Sequence, residues 1–211
     1  MKDRKEEIIL ATLELASKKG LGNVSMSMIA ERIGIKKPSL YNHFASKDEL
    51  VQEMYEFLRE RAKNSKGMMT VDYAILFQGK TALEVLQMVV ENYERLNQDK
   101  NMWMFYKVIY SERSINPAAA RIMTEETEKM ILATKQLFYA MQVHGLLSFQ
   151  NPDMSAVTFA LTVHGLMEYG YDRELGNEKA VLDSKEKMMC EYLKWFCAEN
   201  AAIRSKEEKR D

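Results

Sequence analysis

Apolar residues recur at three- and four-residue intervals along most of the chain, the spacing that lines one face of an α-helix, and no segment sustains the alternation of a half-buried strand. Ile9, Leu13 and Ala16 follow a charged start and precede the stop signals of Gly20 to Asn23, which predicts a first helix over about residues 3–19. Ser25 stands where an N-cap is wanted, Ile29, Ala30 and Ile33 form one apolar face, and Gly34 ends a short second helix. A third helix follows almost at once, with Pro38 in its first turn, where the missing N–H costs nothing, and Leu40, Tyr41 and Phe44 as its packing face. Ser46 and Glu49 make a capping box that opens a fourth helix through Leu50, Met54, Phe57 and Leu58, ending near Lys63 to Gly67. Helical periods persist near 81–97, 100–112, 118–144, 153–173 and 178–204, broken at Asn116-Pro117, Gln150-Asn-Pro152 and Gly176-Asn177. Asp153 is the expected cap after Pro152, and Ser205 to Asp211 is a polar tail. The fold class is all-α: an N-terminal three-helix segment containing a helix-turn-helix, joined to a C-terminal helical bundle, with the boundary placed after residue 47 (1–47 and 48–211).

Composition supports this reading. Only 9 Gly and 3 Pro punctuate 211 residues, too few breakers for the tight turns of an all-β chain. Sixteen Met suit both long helices and adaptable apolar cavities, though a Met-rich core explains them equally well. No apolar run approaches the roughly 18 to 20 residues needed to span a bilayer, and the charged N-terminus does not read as a secretory signal, so a cytoplasmic protein with no membrane partner is expected. Cys190 and Cys197 are spaced too far along one helix to join, and are expected as reduced thiols. The net charge of −1 conceals an asymmetry: residues 1–47 hold nine Lys/Arg against five Asp/Glu, a balance of +4, which leaves −5 on the remainder. From Arg32 to Lys47 there is no acidic residue, while Lys36, Lys37, His43 and Lys47 sit among small polar and aromatic groups that approach phosphates without repulsion.

A helix-turn-helix sets its second helix into the major groove while the first crosses the backbone. Ala30 is small where the two helices cross, Gly34 tolerates a positive φ, and Ile35 plugs the junction. The run Ser25-x3-Ile29-Ala30-x3-Gly34-Ile35-x4-Leu40-Tyr41-x-His43-Phe44-x2-Lys47-x2-Leu50 resembles the DNA-binding signature of TetR-family transcriptional regulators, over about a quarter of the chain. The resemblance implies a recognition helix over residues 36–43, phosphate contacts from Tyr41 and Lys47, an approach to DNA by Ser25 or Ser27, and structural roles for Phe44 and Leu50. Lys36, Lys37, Pro38, Ser39 and Asn42 would then meet base edges, beside His43. Lys36 departs from the family's usual Ser or Thr, removing a cap and adding a charge. Tyr41 also suits a core position with its hydroxyl at the surface, and a lysine-rich turn taken alone is only a solvated face.

The second half carries no comparable motif. Its richest feature is Met102 to Tyr106 followed by Tyr110, with Phe138, Met141, His164, Met167 and Tyr171 on later helices. Aromatics and methionines around a few polar tips describe a small-molecule cavity and a plain core alike. The family resemblance favours a ligand site drawn from Trp103, Tyr106, Tyr110, Phe138, Met141, His164 and Met167, taking a mostly apolar effector because Met102 to Tyr106 is uncharged and Leu137 to Leu147 has only Gln142 and His144 as strongly polar side chains. Val157, Leu161, Tyr171, Met189, Tyr192, Leu193 and Phe196 provide more apolar surface than one bundle face requires, and mark a homodimer interface.

Gly20-x-Gly22 does not follow a strand and so is no phosphate loop. His164 and Glu168 share a helical face, but a metal needs a third ligand and only His144 is otherwise at hand; no metal, cofactor or catalytic residue is expected, and the chain is not read as an enzyme. The expected function is a ligand-responsive DNA-binding regulator, a repressor by resemblance, with a pseudo-palindromic operator and a small-molecule effector as partners. Its fourth helix, Ser46 to about Lys66, would be the lever. The rival reading is a helical enzyme or carrier with an incidental basic N-terminus.

Overall fold

A computed structural model describes residues 4–64, 72–96, 100–176 and 183–202. Among the described residues there are ten α-helices, in this order: α1 Arg4–Lys19, α2 Met26–Arg32, α3 Lys37–Tyr41, α4 Lys47–Asn64, α5 Tyr73–Phe77, α6 Ala82–Leu96, α7 Lys100–Glu112, α8 Pro117–Val143, α9 Pro152–Gly176 and α10 Lys185–Glu199. A 3-10 turn, Leu21–Asn23, links α1 to α2. Among the described residues there is no strand, only an isolated antiparallel bridge between Leu147 and Ala201.

Side-chain caps set most helix starts. Ser25 Oγ accepts from Met28 N–H, and Ser46 Oγ accepts from Glu49 N–H while Glu49 accepts in return from Ala45 N–H. Thr81 and Glu84 form a second reciprocal box at α6, which holds the Glu84 carboxyl below the usual carboxylate range through its bond from the Thr81 backbone N–H. Asn116-Pro117 and Asn151-Pro152 start α8 and α9 alike: the asparagine carboxamide accepts the orphan N–H groups and proline takes the first helical position. The cap of α9 is therefore Asn151, not Asp153. Asp153 lies in the first turn and pairs with Lys135 at 3.2 Å. Sequence periodicity overlooked α5, a single short turn of helix capped by Asp72. The last helix begins at Lys185 under a Ser184 cap and stops at Glu199; residues 178–182, 203 and 204 of its expected span lie outside those described, as do Asp3 and residues 65–67 of the first and fourth helices.

The chain divides into two compact units, Met1–Met69 with Glu94–Glu126, and Thr70–Tyr93 with Thr127–Asp211. The first is larger than the 1–47 segment drawn from sequence. Helices α1 to α3 are too small to close a core, and Leu50, Val51, Met54 and Leu58 of α4 with Met102, Phe105 and Ile109 of α7 complete it around Ile8, Leu13, Ile29, Leu40 and Phe44. In the second unit the core runs from Val85 and Leu86 through Met141, Met167 and Met189 to an aromatic cluster. Phe138 stacks on Phe149 at 4.6 Å and meets Phe159 and Phe196 at 5.2 and 5.4 Å between ring centroids. Truncating so central a ring leaves a cavity its rigid neighbours cannot fill. Phe138→Ala should lower the unfolding free energy by about 3–5 kcal/mol, read as a shift in the urea midpoint at unchanged m-value.

Candidate DNA-reading surface

The candidate surface is built on the turn between α2 and α3. Gly34 adopts φ +70°, its N–H donates to Glu31 O, and Ile35 N–H donates to Ala30 O, the paired bonds of a Schellman cap. The motif ends α2 abruptly at Arg32 and lets α3 start at Lys37, with four residues between. Lys36 occupies the N-cap of α3 without a side-chain hydrogen bond; its carbonyl accepts from Ser39 and Leu40 N–H instead. Leu40 and Phe44 are fully buried, which fixes the roll of α3 and turns Lys36, Lys37, Pro38, Ser39, Tyr41 and Asn42 outward. His43 is half-buried just past the helix, and the Lys37 ammonium lies 5.9 Å from the Tyr41 ring centroid. Ser25 and Ser27 are exposed at the start of α2, although the Ser25 hydroxyl oxygen is engaged in capping. The outward residues contain no carboxylate, so the surface is cationic.

Other charges nearby tie the helices together. Glu14 of α1 pairs with Lys18 and, on α2, Arg32, each at 2.7 Å, and these two cations hold its carboxyl below the usual range. Lys5 and Glu6 of α1 pair with Glu53 and Arg61 of α4. Lys47 lies half-buried with its ammonium donating to Leu21 O at 2.5 Å, a contact the sequence did not suggest.

Deeper in the same unit is a carboxylate that nothing in the residue pattern singles out. Glu126 of α8 is 9% exposed and accepts from the Tyr55 hydroxyl and Arg59 of α4, the latter at 2.8 Å, and from the Tyr106 hydroxyl of α7. Burial and Glu126 together push the Tyr55 phenol far above its usual range. Burial pulls Arg59 down, but Glu126 and the two tyrosines outweigh it and raise the guanidinium overall. Its partners meet it only in the folded chain, because Glu126 follows Glu125 in a charged stretch that reads as solvated.

The residues expected to hold an effector fall in both units. In the first, Tyr106 bonds Glu126, while the rings of Trp103 and Tyr110 are covered by Lys107 and Arg113 at 4.7 and 3.6 Å. In the second, Phe138, Met141 and Met167 are buried in the core, and half-buried His164 pairs through Nε2 with Glu168 at 2.9 Å. Gln142 accepts from Phe149 N–H, and exposed His144 meets Phe77 edge-on. Among the described residues no three His, Cys, Asp or Glu gather to hold a metal, and no helix is long and apolar enough to cross a membrane. Both cysteines are free, and burial pushes the Cys197 thiol up to about 11. Of the residues expected at a dimer interface, Met189, Leu193 and Phe196 are buried in their own unit's core. Leu161 is exposed, as are Met154 and Trp195.

Removing Glu126 leaves a buried guanidinium and two hydroxyls without their shared acceptor. Glu126→Ala should cost about 3–5 kcal/mol in urea denaturation. Tyr55 also makes stability fall with alkali, because above pH ~10 its phenol ionises in the unfolded chain while the folded one stays protonated. The loss of stability between pH 9 and 11 should therefore be smaller in Tyr55→Phe than in the parent chain.

Known proteins match this architecture. Residues 8–54 match the model described as "Bacterial regulatory proteins, tetR family", and residues 84–188 match "AefR-like transcriptional repressor, C-terminal domain". The nucleoid occlusion factor SlmA of Vibrio campbellii is 29% identical over 142 residues, 64% of this chain and 61% of its own, so the chain spans about three fifths of that relative's length. The Bacillus subtilis HTH-type regulator YerO is 33% identical over 87 residues, 41% of this chain and 29% of its own. Among solved structures, the flavonoid-responsive regulator FrrA superposes with a TM-score of 0.70 at 22% identity, covering 94% of this chain and 97% of that one. A TetR-family regulator from Mesorhizobium loti gives 0.66 at 19%, covering 93% and 96%. The all-helical fold, the Schellman-capped helix-turn-helix and the two family matches agree: the chain belongs to the TetR family of transcriptional regulators, which are not enzymes.

Proposed function

We propose that the chain is a cytoplasmic repressor that binds a pseudo-palindromic operator as a homodimer and is released by a small, mostly apolar effector. The observation that carries this reading is the carboxylate-free surface of Lys36 to Ser39, Tyr41 and Asn42, held outward by the burial of Leu40 and Phe44. Residues 1–47 serve as the reading head, with Lys36 to Ser39 and Asn42 meeting base edges, Tyr41, Lys47 and the serines at 25 and 27 on the backbone, and His43 beside them. Repression is supported by the description of the matched C-terminal model.

Dimerisation is supported by the outward side of α9, where Met154, Thr158, Leu161, Thr162 and Gly165 are exposed and uncharged, and by exposed Trp195 on α10. The apolar effector is supported by the methionines and aromatics of the second unit's core, and by FrrA, a fold relative whose name declares a flavonoid response. Phe138, Met141, His164 and Met167 of the second unit are the proposed lining. Release requires that the effector favour the DNA-incompetent state, by roughly 5.5 kcal/mol for a near-complete switch, with α4 as the lever.

Footprinting on the DNA upstream of the chain's own gene should protect two half-sites about 34–36 Å apart, or a multiple of that spacing; a single asymmetric half-site contradicts the dimeric reading. Asn42→Ala should relax base preference, whereas Lys47→Ala should weaken random DNA as well as the operator and lower the salt slope by about one unit. In a DNA-release screen, hydrophobic compounds should act and sugars, nucleotides and divalent metals should not, with the response blunted in Met141→Ala. Release by a sugar or metal alone, unaffected by that substitution, contradicts the effector class.

A further inference from the structure

The turn that precedes α2 is held from both sides by side chains of other helices. Glu112, at the C-terminal end of α7 and only 8% exposed, accepts from Gly22 N–H at 3.1 Å. Lys47, at the start of α4, donates to the carbonyl of Leu21, the preceding residue. The Glu112 carboxylate lies close enough that a Cβ at Gly20 or Gly22 would stand 3.5 Å from one of its oxygens, and Gly20 also takes φ +77°, a conformation that side chains resist. The peptide groups between α1 and α2 thus clasp a carboxylate supplied by their own chain.

This placement has a consequence for DNA recognition. Val24 and Ser25, which follow the turn directly, set the start of α2, and α2 sets α3 through the Schellman cap. A shift of the turn is passed to the reading surface with little slack, because Leu21 and Val24 are buried and the Schellman bonds tie Gly34 and Ile35 back to α2. We propose that Glu112 is a positioning residue for operator recognition: by anchoring Gly22 it makes α7 a strut that sets the pose of the helix-turn-helix, without touching DNA itself. The proposal rests on the operator-binding reading above. It gives α7 two fixed points, Tyr106 on the Glu126 carboxylate and Glu112 on the turn, so that the same helix is fastened both to the lever α4 and to the reading head.

The test compares the parent chain with Glu112→Gln and Glu112→Ala. Each is titrated by fluorescence anisotropy onto the footprinted upstream duplex and onto a random duplex of equal length, at a temperature where circular dichroism shows all three folded. Glu112→Gln keeps an oxygen acceptor of the same reach and should bind the upstream duplex within about threefold of the parent. Glu112→Ala leaves the Gly22 N–H without its acceptor and should lose about tenfold on the upstream duplex, less than about twofold on the random one, and nothing in salt slope, since no phosphate contact is removed. A folded Glu112→Ala that binds as the parent does, or that loses equally on both duplexes, overturns the proposal.

Should Glu112→Ala fail to fold, hydrogen exchange in the parent chain decides instead. Residues 20–24 should exchange more slowly in the operator complex than in free protein, and unchanged exchange overturns the proposal. Absence of binding by the parent chain to any upstream duplex overturns the operator reading itself, a result distinguishable from failure of the Glu112 variants.

Discussion

Burying a charged carboxylate costs several kcal/mol unless opposite charge and hydrogen bonds meet it, and this constraint organises the first unit. Glu126 answers it by drawing in Arg59 and two tyrosyl hydroxyls, which obliges α4, α7 and α8 to meet at one register. Apolar contacts alone would hold the same helices together but tolerate sliding by a fraction of a turn. A hydrogen-bonded carboxylate does not, since the donors must lie within a few tenths of an ångström of their places. Helix α4 follows the reading head directly in the chain, so fixing its register fixes the base from which α1 to α3 project. The ion pairs of Lys5 and Glu6 with α4 extend the same logic to the solvent edge, where each contributes little alone.

Much of this architecture was legible in the amino-acid order because local chemistry decided it. Ser25, Gly34, Pro38 and the Ser46–Glu49 box act within a turn or two of themselves, so their meaning survives without tertiary context. The Asn-Pro breaks were legible for the same reason, although at Asn151-Pro152 the asparagine, not the following aspartate, proved to be the cap, since proline at the first helical position places its predecessor there. The short helix α5 escaped because one turn carries no periodicity to detect. Glu112 and Glu126 escaped for a deeper reason: nothing in a sequence distinguishes a carboxylate that will be buried from one that will be solvated, when its partners lie tens of residues away.

The apolar half was the least legible. Met141, Met167 and Phe138 read equally as core or as cavity lining, and in the folded chain all three are buried in the second unit's core. The Trp103 ring carries the Lys107 ammonium of its own helix, and the Tyr110 ring carries the guanidinium of Arg113, just past the end of α7. Helix α10 shows how adjacent apolar residues divide their duties. Phe196 and Leu193 face inward, while Trp195 between them faces out, a distinction of one residue step that composition alone does not make.

The central claim is that the outward face of α3 and its supports form a cationic reader of duplex DNA. Its most direct test is the salt dependence of binding to the upstream duplex, measured by anisotropy with the unmodified chain. The account predicts saturable binding at dimer stoichiometry, with log K falling linearly in log salt at a slope of several units and with a random duplex bound weaker by about a thousandfold or more at physiological salt. Binding that ignores salt, or that treats the upstream and random duplexes alike, would contradict it.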